Sequence, residues 1–392
     1  MSHTIALPKL LEIGGGSLAK LPEILAAIGS LKPYIITDKI MQDLDYVNRV
    51  QTLLSDAGIK TDVFNAVEPE PTEASILPAV YAMKQGNYDS VIALGGGSAI
   101  DSAKAIAILA HFGGVMRDYK VPRIVNEIGL PIIAIPTTAG TGSEATRVTI
   151  ITDADSDEKM LCMGLGFLPT AAIIDFELTL SAPPRVTADT GIDALTHAIE
   201  AYVSKKASTY TDQQALAAIR LIAPNLRTAY FDGNDKQARE ALMLGATLAG
   251  IAFSNASVCL VHGMSRPIGA HFHVPHGLSN AMLLPVVTKY SIPGAVGRYA
   301  ICARTMGVAD NRDNDSVANE KLLIELKKLN KDLKVPSPAD FGIDKATYFQ
   351  LSSLMADQAL ASGSPGNNPR VPTADEIVEL YHQVWQQSQE GI

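Results

Sequence analysis

Apolar residues in the first part of the chain occur either in short continuous runs or at helical spacing. The run from Leu10 to Ile13 leads into a glycine turn at residues 14–16, and apolar positions then recur every three or four residues through Ile28. This order is typical of a strand, a tight turn and a helix.

The same order repeats as far as about residue 175. We predict further strands at residues 34–37, 60–64, 90–94 and 130–135, separated by helices that end near residues 57, 85 and 109. Strands that alternate with helices indicate a mostly parallel, doubly wound sheet.

Beyond residue 175 strand-like runs become rare, and long segments show helical spacing instead. Helices are predicted at residues 191–202, 212–230, 236–253 and 317–329, with a flexible S-G-S-P-G-N-N-P segment at 362–369. We therefore expect an α/β domain at residues 1–180 and an all-α domain at 181–392, with the active site in the cleft between them.

Composition and charge argue against several classes of partner and site. The formal net charge is −9 and no block of Lys and Arg occurs, which argues against nucleic acid or a membrane as a partner. Three cysteines without C-x-x-C spacing give no disulfide framework or thiolate zinc site. The N-terminus lacks the pattern of a secretory signal, so we expect a cytoplasmic protein.

A glycine-rich turn at Gly95, Gly96, Gly97 and Ser98 lies between a predicted strand and a predicted helix. Backbone amides at such a turn can cradle a pyrophosphate. Ser98 and Asp101 also match a plain capping box, which needs no ligand.

Gly14 to Gly16 is a second candidate phosphate turn, since Asp38 follows at about the distance of a ribose-binding carboxylate. A structural turn and a helix cap are the alternatives for these two features. Thr137, Thr138 and Thr141 follow another predicted strand, at an edge of the sheet where ligands bind, although an ordinary Ser/Thr-rich loop has the same composition.

Asp193 and His197 lie four positions apart on one predicted helix, so they share one face with Glu200. That face is either solvated or functional. Four of the eight histidines fall between His262 and His276, and two of them would complete a mixed Asp/His metal site with this pair.

Together these segments resemble the iron-containing, group III alcohol dehydrogenases, which are related to glycerol dehydrogenases and dehydroquinate synthases. The resemblance runs nearly end to end, and its most specific motifs are G-G-G-S-A-I-D at 95–101, I-P-T-T-A-G-T-G-S-E at 135–144, G-I-D-A-L-T-H-A-I-E-A-Y at 191–202, H-G-M-S-R-P-I-G at 262–269 and P-H-G at 275–277.

The resemblance implies a role for each matching residue. It implies an NAD-binding N-terminal domain and a metal-binding helical domain whose ligands for Fe(II), or for Zn(II), are Asp193, His197, His262 and His276. Its implied cofactor residues are Asp38, Gly95, Gly96, Gly97, Ser98, Asp101, Thr137, Thr138, Thr141, Lys159 and Phe253.

By the same resemblance the protein is a homodimer or larger homo-oligomer that transfers hydride between NAD and a primary or secondary alcohol, or a small hydroxy acid, giving the aldehyde or ketone. A lyase or cyclase of the dehydroquinate-synthase kind is the alternative. Where many members have a second histidine, this chain has Arg266, which could pair with a substrate carboxylate or with a protein carboxylate. The resemblance assigns a proton-relay role to that second histidine, and His271 or His273 is a candidate substitute for it in this chain.

Overall fold

The computed structural model describes residues 2–154 and 158–387. Within them, contacts divide the chain into two compact units, one at Thr4–Ala182 and one that contains every helix from Pro184 onward.

The first unit is built on a sheet of six parallel strands in the order β1-β8-β5-β4-β2-β3. Five helices and an antiparallel hairpin, β6 and β7, complete it. In chain order its elements are β1 Leu10–Ile13, α1 Leu21–Ile28, β2 Pro33–Ile36, α2 Lys39–Asp43, α3 Tyr46–Asp56, β3 Asp62–Phe64, α4 Glu73–Gly86, β4 Ser90–Gly95, α5 Gly97–Phe112, β5 Ile132–Pro136, β6 Val148–Asp153, β7 Glu158–Met163 and β8 Ala171–Ile174.

The predicted α/β fold is confirmed, with two differences. The helix expected to run to residue 57 is two helices, because Asp45 adopts φ 65° and interrupts it. The β6–β7 hairpin and β8 were not predicted.

The order of the strands creates a switch point. The chain leaves β2 toward β3 on one side, whereas β4 leads to β5 on the other side. Since parallel crossovers are right-handed, the connecting helices pack on opposite faces of the sheet. A crevice therefore opens between the carboxyl ends of β2 and β4, where ligands bind in sheets of this kind.

The second unit is helical among its described residues, as predicted. Its helices are α6 Pro184–Val203, α7 Thr209–Phe231, α8 Lys236–Asn255, α9 Leu260–Phe272, α10 His276–Ser291, α11 Val296–Thr305, α12 Asp315–Asp332, α13 Lys345–Ala361 and α14 Ala374–Gln387.

Helix α6 lies at the centre of this unit, packed against α7, α8 and α10. From Ile192 to Val203 every residue is buried. Its polar side chains must therefore find partners inside the protein.

The segment at 362–369, which the sequence predicts to be flexible, contains local structure. It forms a short 3₁₀ helix, Ser364–Asn367, with Ser364, Asn367 and Asn368 buried. A Cβ at Gly263 of α9 would lie 2.8 Å from Pro365, so this segment packs directly against α9.

Candidate active site

Four side chains from three helices converge inside the helical unit. Their ligand atoms all lie within 4.8 Å of one another, and the side chains are Asp193 and His197 of α6, His262 of α9 and His276 of α10. Three imidazoles and one carboxylate are a donor set that suits a divalent transition metal. The spacing and chemistry of these residues fit such an ion.

The face of α6 that carries Asp193, His197 and Glu200 is buried. Asp193 is only 2% exposed, His197 4% and Glu200 3%. The solvated alternative for this face is therefore wrong, and a buried carboxylate beside buried imidazoles needs a compensating charge or hydrogen bonds.

Glu200 fixes the orientation of His262. Its Oε2 lies 2.6 Å from Nδ1 of His262 and accepts the backbone N–H of Cys259 at 2.9 Å, while Oε1 accepts that of Val261 at 2.6 Å. With Nδ1 directed at a carboxylate, Nε2 of His262 faces the cluster. Metal-binding histidines are usually oriented by such a carboxylate.

The cluster favours positive charge. Burial raises the pKa of the Asp193 carboxyl, but the three imidazoles outweigh burial and hold this pKa well below its usual range. Burial lowers the pKa of His262, whereas Asp193 and Glu200 raise it to about 9. An ionised carboxylate among imidazoles is the state in which these residues can bind a cation.

Two more side chains border the cluster. The ring of Phe253 stacks on His197 with centroids 4.3 Å apart, so the residue predicted to contact the cofactor touches a metal-ligand candidate. Asn280, one turn after His276 on α10, places its amide against three of the four ligand atoms. Asn280 was not among the predicted site residues, although its position four residues after His276 is visible in the sequence.

Arg266 and His271 occupy different environments. Arg266 lies one turn after His262 and its Nη1 donates to Ser364 Oγ at 3.2 Å. His271 is nine residues beyond His262, toward the other end of α9, with its Nε2 2.8 Å from Gln358 Oε1. The structure therefore does not bring His271 to the ligand cluster.

A second group of predicted residues gathers at the switch point of the α/β unit. Asp38 follows β2, the 95–98 turn follows β4, and Thr137 follows β5, and these three strands are neighbours in the sheet. Asp38 caps α2 through Oδ1, which accepts from Met41 N at 3.0 Å. A Cβ at Gly95 would lie 3.4 Å from Oδ2 of Asp38, so the second oxygen lies beside the turn.

The turn at residues 95–98 needs its glycines. Gly95 has φ 146°, and a Cβ at Gly97 would lie 2.8 Å from Thr141 Cγ2. The capping-box alternative is wrong: Gly96 is the N-cap of α5 and no side chain caps it. Thr138 also packs against the turn, 3.5 Å from a Cβ placed at Gly96.

Asp101 instead anchors the following loop. Its carboxylate accepts from Ser143 Oγ at 2.8 Å and from Ile150 N at 3.1 Å. The fully buried Lys104 extends this network and donates to Ser143 Oγ and to the carbonyl of Val148. Burial lowers the pKa of Lys104 to about 8, although Asp101 and Glu144 raise it.

Two further contacts bear on the predicted cofactor residues. Lys159 pairs with Glu70 at 2.8 Å, and the backbone N–H of Glu70 donates to Ser98 Oγ at 3.3 Å, so Lys159 lies near the glycine turn. The hydroxyl of Thr137 is buried and has no hydrogen-bond partner among the described residues.

The other glycine turn holds a protein carboxylate. The backbone amides of Gly16 and Leu18 donate to Asp175 at 3.0 and 3.1 Å. Amides already bound to Asp175 are not available to a phosphate. This geometry matches the alternative of a structural turn at residues 14–16.

Comparison with known families decides among the functional classes. Residues 8–176 match the family model "Iron-containing alcohol dehydrogenase", and residues 187–385 match "Fe-containing alcohol dehydrogenase family, C-terminal". The chain belongs to the iron-containing alcohol dehydrogenase family. The resemblance inferred from the motifs is confirmed, and the lyase alternative is not favoured.

Individual relatives of this family align over nearly the whole chain. An NAD-dependent methanol dehydrogenase from Bacillus methanolicus is 34% identical over 95% of this chain and 97% of its own. An NADPH-dependent butanol dehydrogenase from Clostridium saccharobutylicum is 34% identical over 97% of this chain and 97% of its own. A crystal structure of a 1,3-propanediol oxidoreductase has a TM-score of 0.94 and 33% identity, covering 98% of this chain and 100% of that one.

The family relationship makes the chain an oxidoreductase of the alcohol dehydrogenase class. Among the described residues, no single helix is long and apolar enough to cross a bilayer. In the part of the chain that the structure describes, one pair of consecutive helices, α8 and α9, reaches the necessary length and hydropathy when taken together, and this pair is bent by 102°.

Proposed function

We propose that this protein transfers hydride between NAD and a small primary or secondary alcohol or hydroxy acid, with a divalent cation held by Asp193, His197, His262 and His276. The observation that carries the proposal is the convergence of these four ligand atoms within 4.8 Å. The family relationship supports the reaction class.

Fe(II) is the proposed ion, with Zn(II) as a competitor. Imidazole binds both metals, and intrinsic affinity favours zinc, so the metal supply decides which ion is bound. A bound divalent ion would supply Lewis-acid polarisation of the alcohol oxygen. The protein's part is to keep Asp193 ionised, to orient His262 through Glu200 and to surround the cluster with apolar and aromatic groups such as Phe253.

The proposed cofactor site is the carboxyl edge of β2, β4 and β5. There the 95–98 turn would bind the pyrophosphate with its free amides and the N-terminus of α5. Asp38 would accept from a ribose hydroxyl and repel a 2′-phosphate, so we propose NAD rather than NADP. Thr137, Thr138, Thr141 and Lys159 would line the same site, with Asp101 holding the neighbouring loop.

The position of Arg266 leads us to propose a substrate class. Burial lowers the pKa of this guanidinium, and the charge of Glu200 opposes the shift. Among residues 2–154 and 158–387 the guanidinium forms no ion pair within 4.0 Å, and its Nη1 donates to Ser364 Oγ. It lies one turn from His262, so it could pair with the carboxylate of a hydroxy acid.

Replacing Arg266 tests this substrate class. We expect Arg266→His to lower kcat/KM for 4-hydroxybutyrate by about 10-fold or more relative to 1-butanol, since a charge-assisted bond is lost. Arg266→Lys keeps the charge and should lose less. An unchanged preference in both variants would contradict the role of Arg266.

The main proposal is tested by steady-state NADH production from a panel of alcohols, before and after chelation and after addition of Fe(II) or Zn(II). We expect activity to disappear on chelation and to return with one of the metals. NADH production that survives complete metal removal would refute the proposal.

We also propose that the protein is cytoplasmic and forms a homodimer or a larger homo-oligomer. Light scattering would measure the mass of this assembly.

A further inference from the structure

Asn280 lies at the ligand cluster but belongs to none of the recognised motifs. It is fully buried on α10, and its amide nitrogen Nδ2 is 2.7 Å from Asp193 Oδ1. The same nitrogen is 3.2 Å from Nε2 of His262 and 3.2 Å from Nε2 of His276. One side chain thus touches ligand candidates from three different helices.

These distances place the nitrogen over a triangular face of the cluster. Oδ1 of Asp193 lies 3.4 Å from Nε2 of His262 and 3.8 Å from Nε2 of His276. An atom 2.7–3.2 Å from all three corners lies out of their plane, next to the face that they form. His197 supplies the fourth ligand atom and is outside this face.

The hydrogen-bonding capacity of the amide identifies its main partner. A carboxamide nitrogen can only donate and a carboxylate oxygen can only accept, so the N–H group donates to Asp193 Oδ1, whereas the roles of the two imidazole nitrogens depend on their tautomers. The contact with Asp193 is the shortest. The amide oxygen is buried without a hydrogen-bond partner among the described residues, so the contacts of the nitrogen fix this side chain.

We infer that Asn280 is a positioning residue of the cation site: its N–H group holds the Asp193 carboxylate in place, and its side chain closes the face bounded by Asp193, His262 and His276 to any further ligand. An exchangeable ligand, including substrate, then reaches the cation from another side. This inference rests on the proposed metal site and adds a residue that determines its geometry.

Two substitutions separate the two parts of this role. Asn280→Leu removes the donor but keeps the face filled with a side chain of similar size. Asn280→Ala removes the donor and opens the face to water. We expect both variants to bind Co(II) about 10–100-fold more weakly than the unmodified protein, the usual effect of losing a group that orients a metal ligand.

The visible absorption of the bound Co(II) reports its coordination number, because the absorption band becomes weaker as ligands are added. We expect Asn280→Leu to keep the spectrum of the unmodified protein, and Asn280→Ala to show a weaker band because water enters the open face. Binding and spectra are measured on the full-length protein by titration in competition with a chelator, with circular dichroism to check folding.

Asn330→Leu is the matched control. Asn330 is also buried, and its amide donates to the carbonyl of Ala281 on the same helix as Asn280, without contact to the cluster. This control should match the unmodified protein in affinity and spectrum. If both Asn280 variants behave like Asn330→Leu, Asn280 has no positioning role. If the unmodified protein and the control bind no Co(II), the metal site itself is refuted, and this inference with it.

Discussion

Oε2 of Glu200 lies 2.6 Å from Nδ1 of His262, and this contact ties the end of α6 to the start of α9. The same carboxylate accepts the backbone amides of Cys259 and Val261, so both of its oxygens are used. A single buried carboxylate therefore sets both the path of the backbone into α9 and the direction of the imidazole.

Glu200→Gln should weaken divalent metal binding by about 10–100-fold. The substitution replaces one carboxylate oxygen by an NH₂ group, which cannot accept from Nδ1–H or from a backbone amide. Chelator competition measures the affinity. Thr196→Val is the control, because among the described residues the Thr196 hydroxyl bonds only to Ile192 O of its own helix. Equal affinities in the two variants would contradict the role of Glu200.

Metal binding should stabilise the fold. An ion present at about 1,000 times its Kd adds roughly 4 kcal/mol to the free energy of unfolding, so the melting temperature should rise on addition of Zn(II) and fall on chelation. In His276→Ala this response should be largely lost. The His276 side chain is 40% exposed, so its removal costs little packing. A full thermal response in the variant would exclude His276 as a ligand.

Asp38→Asn should shift the cofactor preference toward NADP. Asparagine keeps the cap on α2 but removes the charge that would repel a 2′-phosphate. We expect the ratio of kcat/KM for NADP to that for NAD to rise about 10-fold or more, equivalent to roughly 1.4 kcal/mol. Asp45→Asn removes an exposed charge from the same unit and should leave the ratio unchanged.

Gly277→Ala should destabilise the helical unit. The added Cβ would lie 2.4 Å from the backbone oxygen of Asp189, where α10 packs on α6, and overpacking of this kind costs about 1–3 kcal/mol. The melting temperature and the metal affinity should both fall. Gly366→Ala, whose Cβ meets no atom within 4 Å, should behave like the unmodified protein. Equal melting temperatures would disprove the predicted clash.

Lys104 should make stability depend on pH. Burial holds its pKa near 8, compared with 10.5 for an unperturbed lysine, so the unfolded chain binds more protons between these two values. The contribution of Lys104 to the free energy of unfolding therefore increases by about 3 kcal/mol as the pH rises from 8 to 10.5. The melting temperature of the unmodified protein relative to Lys104→Met should rise across this range. Parallel curves would contradict the lowered pKa.

Most of the fold could be predicted because its elements differ in the period of their apolar residues. The parallel strands are continuous apolar runs and the long helices repeat at helical spacing, so both are visible locally. The break at Asp45 was not visible, since it depends on one residue with a positive φ inside an otherwise helical pattern. The β6–β7 hairpin is stabilised by pairing between strands, which local periodicity does not encode.

The donor chemistry of the site could be predicted from the residues alone: an Asp and a His four residues apart, a cluster of histidines and a glycine turn after a strand. Three features became visible only in the folded protein: Glu200 orients His262, Asn280 touches three ligand atoms, and His271 lies elsewhere. They could not be predicted because the residues involved are far apart along the chain. A helix sets which side chains share its face, but which faces meet depends on how α6, α9 and α10 pack.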